Sequence, residues 1–184
     1  MENETVGTVS FFWLLGLLVL QRLADLLLCR RNRAALLARG GREAYPGSYR
    51  AMVSLHVLFL GSLAAESYPW RLPLDALTVG CLAAYLLLEA ARYWCIATLG
   101  VFWNTRIVVL PGAKIVRSGP YRLVRHPNYL VLVLEFLVLP LLFRAWFTLA
   151  FFSAANLLVL RLRIRLEERA LREATDFGEA SAGS

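Results

Sequence analysis

Val9-Ser-Phe-Phe-Trp-Leu-Leu-Gly-Leu-Leu-Val-Leu-Gln-Arg-Leu-Ala-Asp-Leu-Leu-Leu28 carries only two charges, Arg22 and Asp25. As a helix rising about 1.5 Å per residue it spans roughly 30 Å, the thickness of a bilayer's hydrocarbon core. Outward from it, helix-length apolar windows recur, which places spans at about 9–28, 51–67, 74–99, 128–143 and 146–166. The gaps between them are short, and the 184 residues are 59% apolar with a mean hydropathy of +0.58, above the roughly 45–50% apolar content of soluble domains. The expected fold is therefore an all-α integral membrane protein of about five transmembrane helices in a single domain, residues 1–184. Ordinary contents of Gly (12), Pro (7) and Cys (3) exclude collagen-like and disulfide-scaffold classes, and the low charge excludes disorder.

The acidic start Met1-Glu-Asn-Glu-Thr lacks the basic region of a cleaved signal peptide, so the first span is expected to be retained. The fourth span is short, roughly 24 Å, and Pro140 near its end suits a tight turn into the fifth. Lys and Arg are retained on the cytoplasmic side of bacterial membranes. Sixteen of them follow spans one, three and five, whereas only Arg71 and Arg144 occupy the opposite loops. The expected topology has the N-terminus outside and the C-terminus in the cytoplasm. A net charge of +7 spread over three membrane-flanking segments suits topology and anionic lipid and points to no nucleic-acid partner.

Two loops stand out. Arg39-Gly-Gly-Arg-Glu43 interrupts the helix of the first span and predicts an elbow on the membrane surface. Gly100 to Asn128 is the longest non-apolar stretch, and the alternation from Arg106 to Val116 predicts a short hairpin around Pro111-Gly112. Inside the spans, Arg22 and Asp25, and Glu89 and Arg92, stand three apart and are placed to pair. Glu135 has no local partner and must meet a cation across helices, such as Arg92, or line a wet cavity. His56 stands alone in span two and is expected to be a hydrogen-bonded core histidine. Cys29, Cys81 and Cys95 lie at no ligand or redox spacing and are expected to pack; with two histidines in the chain, no metal site is expected.

Gly119-Pro-Tyr-Arg-Leu-Val-Arg-His-Pro-Asn-Tyr129 is the most informative segment. Pro127 suits the first turn of span four, which sets Arg125 and His126 beside a helix N-terminus favourable to an anion. A helix from Trp146 to Ala174 would be roughly 43 Å long and must protrude, carrying Arg161-Leu-Arg-Ile-Arg-Leu-Glu-Glu-Arg169 beyond the hydrocarbon, with Arg163 and Glu167 spaced for an i,i+4 pair.

This Gly-x-Tyr turn, the Arg-His-Pro-x-Tyr segment, the apolar hairpin and the Glu167-Glu168 pair some forty residues on resemble the isoprenylcysteine carboxyl methyltransferases and related phospholipid methyltransferases over residues 98–175. The Arg-Gly-Gly-x-Glu elbow and Phe102-Trp-Asn-Thr-Arg106 resemble a bacterial branch that methylates long-chain phenols or pyrones. The resemblance implies an S-adenosylmethionine-dependent methyltransferase whose site lies at the cytoplasmic rim and whose lipidic acceptor enters from the bilayer. It implies that Gly119, Tyr121, His126, Pro127 and Tyr129 form the cofactor pocket, that Glu167 or Glu168 holds the cofactor's ribose or amino end, and that Arg125 positions the acceptor. Two departures accompany it. Ala113 stands where relatives often carry His, leaving Lys114 to make that contact, and the tail Asp176-Phe-Gly-Glu179 lacks an arginine that relatives use toward a carboxylate. A carboxylate acceptor needs no base; a phenol does, and Glu167, Glu168 or Glu135 are the candidates. The alternative from the residues alone is a non-catalytic helical membrane protein, such as a small transporter, with Glu135, Glu89 and Arg92 as a midplane ion site.

Overall fold

The computed structural model describes residues 8–174, so that the acidic start and the Asp176 tail lie outside the described residues. Five helices alternate in direction: α1 (Phe12–Ala38), α2 (Pro46–Glu66), α3 (Ala76–Leu99), α4 (Pro127–Leu142) and α5 (Trp146–Ala174). Four of these are long and apolar enough to cross a membrane, and α4 is a shorter apolar helix of 16 residues. The protein is thus an all-α integral membrane protein, and its helices outrun the apolar windows on the side where the basic residues cluster. Two miniature antiparallel sheets tie the ends together: β1 (Thr8–Ser10) pairs with β3 (Arg71–Pro73), and β2 (Arg42–Ala44) with β4 (Ile107–Val109).

The second sheet corrects the expected hairpin. Strand β4 does not turn back on residues 113–116 but joins the elbow after α1. Pro111 has no N–H to offer a returning strand, and the Gly112 N–H is donated to the Ala174 carbonyl at 3.0 Å. Glu43 fastens the sheet, taking Arg106 at 2.6 Å and Arg33 at 2.8 Å. Burial opposes charge on Glu43, but the hydrogen bonds from Arg106 and Arg33 outweigh it and hold its carboxyl below the ordinary range. The elbow itself forms where Gly40 adopts φ +88° and Gly41 donates to the Leu36 carbonyl at 2.8 Å. A Cβ on Gly41 would come within 2.7 Å of that oxygen.

Helix α4 is the axis of the bundle. Its Val131, Leu132, Phe136, Leu139 and Leu142 are buried against α3 and α5, and Phe136 stacks on Phe59 of α2 at 4.1 Å. Leu17, Leu20, Val57, Leu58, Leu86 and Leu87 of the outer helices face outward, as a lipid solvent permits. Pro140 deprives the Phe136 carbonyl of its helical donor, and the Ser153 hydroxyl of α5 donates to that oxygen instead, at 3.0 Å. On the far face Arg144, in the left-handed region at φ 58°, turns the chain between α4 and α5. Both oxygens of Asp75 accept from its Nη2 at 2.8 and 2.7 Å, while Asp75 also caps α3. Glu66 caps α5 by accepting from the Phe147 and Thr148 N–H groups, each at 2.9 Å.

Three helices are joined by charge. Glu135 of α4, 1% exposed, accepts from Arg92 Nε of α3 at 2.9 Å, from Arg92 Nη2, and from Arg22 Nη2 of α1 at 2.7 Å. Asp25 stands 3.5 Å from Arg22 and 3.8 Å from Arg92, and Glu89 lies 3.9 Å from Arg92. The two i,i+3 pairs therefore exist, but both are loose, and the tight bonds converge on Glu135. Removing this carboxylate leaves two guanidinium groups without their principal anion. Glu135→Ala is expected to destabilise the fold by about 3–5 kcal/mol, read as a large fall in Tm of the detergent-solubilised protein and a loss of monodisperse material.

Candidate functional site

At the end of the bundle where α1, α3 and α5 finish, the start of α4 and the end of α5 meet. His126 Nε2 lies 3.2 Å from Glu168 Oε1, and the Tyr129 hydroxyl donates to Glu167 Oε2. The His126 and Tyr129 rings are stacked 5.5 Å apart. Pro127 occupies the first turn of α4, where its missing N–H leaves no gap, and so aims both residues toward α5. The residues of the Arg-His-Pro-Asn-Tyr segment and the Glu-Glu pair, 38 and 42 positions apart, thereby face each other.

A cavity opens beside this junction. Tyr121, Arg125, His126, Tyr129, Glu167 and Lys114 line it together with Trp103 and residues of the stretches 107–110 and 113–116. Gly119 does not line it. It holds φ +52° where the turn Gly119–Arg122 presses on α3, and a Cβ there would meet Thr98 Oγ1 at 2.7 Å and Trp94 Nε1 at 3.1 Å. Gly119 and Pro127 thus shape the backbone that presents Tyr121 and Tyr129. Burial pushes the Tyr121 phenol up, so it stays neutral and serves as a hydroxyl. Arg125 is exposed at the mouth, and Glu168 stands just behind the wall, held by His126 and by Arg172 at 3.2 Å.

A second, larger cavity, about 270 Å³ against about 170 Å³, runs between α1 and α2. Its wall is mostly apolar, with Val19, Leu23, Met52, Val57 and Leu60, and its deeper part meets Arg22, Asp25, Arg92 and His56. Val19, Leu23 and Val57 are 45–63% exposed on the bundle's outer surface, so this cavity borders the lipid phase. His56 is fixed as expected, by a 2.8 Å bond to the Met52 carbonyl, yet it also forms part of this wall. Glu135 lies on neither wall; its oxygens are occupied by Arg22 and Arg92.

The two cavities share Trp103, Asn104, Asn128, Tyr129 and Arg163. Spacing in the chain pointed to a routine Arg163–Glu167 pair on the surface of α5. The structure corrects this: Arg163 is buried, and its Nε donates to the Tyr129 hydroxyl at 3.0 Å, Nη1 to Ser48 Oγ at 3.3 Å and Nη2 to the Thr105 carbonyl. The role of Arg163 at this shared wall had no local signature, because its partners come from three separate segments, whereas Trp103 and Asn104 belong to the Phe102–Arg106 stretch that the resemblance had marked without a role. The three cysteines are buried and free, and the Thr105 N–H donates to Cys29 Sγ at 3.2 Å.

The profile of the isoprenylcysteine carboxyl methyltransferase family matches residues 80–173, which contain α4, α5 and most of the rim cavity. The chain is 39% identical over 163 residues to the uncharacterized protein YpbQ of Bacillus subtilis, covering 88% of this chain and 97% of that one. It is 29% identical over 142 residues to an uncharacterized protein of Haemophilus influenzae, covering 77% of this chain and 83% of the relative. No solved structure gives a significant match. With the family profile and the near full-length likeness to the Bacillus protein in agreement, the chain belongs to the isoprenylcysteine carboxyl methyltransferase family.

Proposed function

We propose that this protein transfers a methyl group from S-adenosylmethionine to a hydrophobic, membrane-dissolved acceptor, either a prenylcysteine-like carboxylate or the hydroxyl of a long-chain phenol or pyrone. The observation that carries the proposal is the shared wall: a polar cavity at the rim and an apolar cavity against the lipid meet at Trp103, Asn104, Asn128, Tyr129 and Arg163. A water-soluble donor and a lipid-soluble acceptor need just such an approach from two phases, and bringing two reactants together in this way is worth roughly 7–11 kcal/mol of barrier.

The donor set of the rim cavity fits S-adenosylmethionine. Glu167 offers an acceptor for its ribose hydroxyls or ammonium, with Glu168 just behind that wall, Arg125 and Lys114 offer cations for its carboxylate, and Trp103 and Tyr121 offer aromatic faces for adenine. When bound, the cofactor supplies a methyl group already activated by sulfonium charge. The placement of Arg125 on the rim cavity alone favours a cofactor contact for it over acceptor positioning. Tyr129 links Glu167 to Arg163 and so couples the two cavities. For a hydroxyl acceptor, Glu168 beside His126 is the carboxylate suited to carry away the proton; Glu135, clamped between two guanidinium groups, is not. The clustering of basic residues in the loops on this side supports a rim on the cytoplasmic face of a bacterial inner membrane, where the cofactor is dissolved.

Three outcomes are expected. Purified protein binds S-adenosylhomocysteine in calorimetry, and Glu167→Gln weakens that binding about tenfold, the 1.4 kcal/mol of one charged hydrogen bond, with His126→Ala also weakening it. Absence of binding to the intact protein in several lipids would sink the reading. In membrane vesicles of known sidedness, a cysteine at the exposed Ser118 reacts with impermeant maleimide only from the cytoplasmic face, and one at Tyr68, 72% exposed, only from the other. The reverse pattern would overturn the orientation.

A further inference from the structure

A third cavity, of about 150 Å³ and largely polar, lies away from the junction of α4 and α5, where α1 leaves its apolar stretch. Arg30 and Arg33 of α1, Arg106 and Tyr49 line it, with Leu26 one turn before Arg30. Arg125, His126, Tyr129, Arg163 and Glu167 do not. The sequence sets the depth of this cavity. The apolar run of α1 ends at Leu28, and Arg30, Arg31 and Arg33 follow directly. Arg30 stands three residues after Leu27 and seven after Leu23, so it prolongs the stripe in which Leu20, Leu23 and Leu27 are exposed on the outer surface. Arginine just beyond a hydrocarbon-spanning run, with tyrosine beside it, lies at the level of lipid headgroups.

Charge around this cavity does not balance. Glu43 accepts from Arg33 Nε at 2.8 Å and from Arg106 Nη1 at 2.6 Å, and no other carboxylate among the described residues pairs with Arg30, Arg33 or Arg106. One carboxylate is set against three guanidinium groups, and Glu43 itself does not line the cavity. Arg33 spends only Nε on Glu43, so its two terminal nitrogens make no hydrogen bond among the described residues; the exposed Arg30 makes none at all. Arg106 is held in place from two sides, by Glu43 and by the Tyr49 ring, whose centre lies 3.9 Å from the guanidinium carbon. The wall thus offers fixed, forked N–H donors with an excess of positive charge, the donor set that a phosphate's two free oxygens accept from.

We propose that this cavity binds the phosphate of an anionic phospholipid, with Arg30, Arg33 and Arg106 as its ligands and the acyl chains lying along the Leu20, Leu23 and Leu27 stripe. Free phosphate has the same charge chemistry, but only a lipid uses the exposed leucines directly below the arginines. A zwitterionic headgroup would bring its own cation beside three guanidinium groups, so the site favours a headgroup with net negative charge. Joined by one phosphate, Arg30 and Arg33 of α1 are tied to Arg106 at the start of β4, and the lipid adds to Glu43 in fastening the elbow. Asn104 and Arg106 also line the rim cavity, and Asn104 and Thr105 the lipid-facing one, so an occupied site steadies a segment common to all three. The bound phospholipid is a structural ligand, and its site does not depend on the methyl-transfer reading.

The test follows the Tm of the purified full chain in dodecyl maltoside micelles titrated with dioleoyl phosphatidylglycerol or dioleoyl phosphatidylcholine. Wild type is expected to show a saturable rise in Tm with phosphatidylglycerol and little rise with phosphatidylcholine, since a ligand that binds the folded state stabilises it. Arg30→Gln is expected to raise the half-saturating fraction of phosphatidylglycerol at least about tenfold. Arg31→Gln removes the same charge from the neighbouring exposed residue, which does not line the cavity, and is expected to raise it no more than about threefold. Equal stabilisation by the two lipids, or equal weakening by the two variants, overturns the proposal in favour of diffuse attraction to the membrane surface. Inorganic phosphate, added without lipid at millimolar concentration, separates the two sources. Little stabilisation by it supports a lipid headgroup, whereas stabilisation matching that of phosphatidylglycerol and lost in Arg30→Gln assigns the cavity to a soluble phosphate and overturns the lipid. Should a variant fail to fold, native mass spectrometry of wild type from micelles holding both lipids in equal amounts decides. Preferential retention of one phosphatidylglycerol supports the site, and equal retention of the two lipids overturns it.

Discussion

The bundle is organised around one carboxylate. Glu135 sits in the most buried helix and binds Arg92 of α3 and Arg22 of α1, so three helices that apolar packing alone would leave free to rotate are held in one register. In a lipid solvent helices gain little from the hydrophobic effect on meeting one another, and ionic and hydrogen-bonded contacts do more of the specifying. With Glu135, Asp25 and Glu89 around them, Arg22 and Arg92 are paired within the bundle. The apolar cavity therefore keeps a defined polar end.

The same economy of polar groups explains the short fourth helix. Helix α4 begins only at Pro127, while α5 continues to Ala174, and the difference in reach creates the recess at the rim that the segment from Gly100 to His126 covers. Each irregular backbone in this region is tied down by a specific partner. Strand β4 is held by β2 and Glu43, Gly112 by the last carbonyl of α5, and the turn at Gly119 by contact with α3. The rim cavity is thus built on packed elements, and its side chains are directed from both walls toward Tyr129 and Arg163.

Methyl transfer between a soluble donor and a membrane-dissolved acceptor asks a protein chiefly to hold two dissimilar molecules in contact across the edge of the bilayer. A junction lined by Trp103, two asparagines, a tyrosine and a buried guanidinium supplies apolar contact, hydrogen bonds and charge within one wall. Membership in a methyltransferase family and this two-cavity arrangement support one another.

Much of this was legible in the chain itself. Hydropathy windows gave five helices because a helix in hydrocarbon must satisfy its backbone internally and show apolar side chains for about 20 residues. Pro127 announced the start of α4, the paired glycines the end of α1, and the isolation of Glu135 in an apolar run required a distant cation. Local spacing failed where partners are remote. Alternation around Ile107–Val109 signalled a strand but could not say that its mate lies more than sixty residues earlier. An arginine four residues before a glutamate looks like a helix-surface pair until folding turns Arg163 inward toward Tyr129, Ser48 and Thr105. The sequence by itself determined which segments enter the membrane, since that follows from composition and from periodicity along one helix. Only the tertiary structure decided which charges pair, because the counter-charge of a buried group is set by what other helices bring within a few ångströms of it.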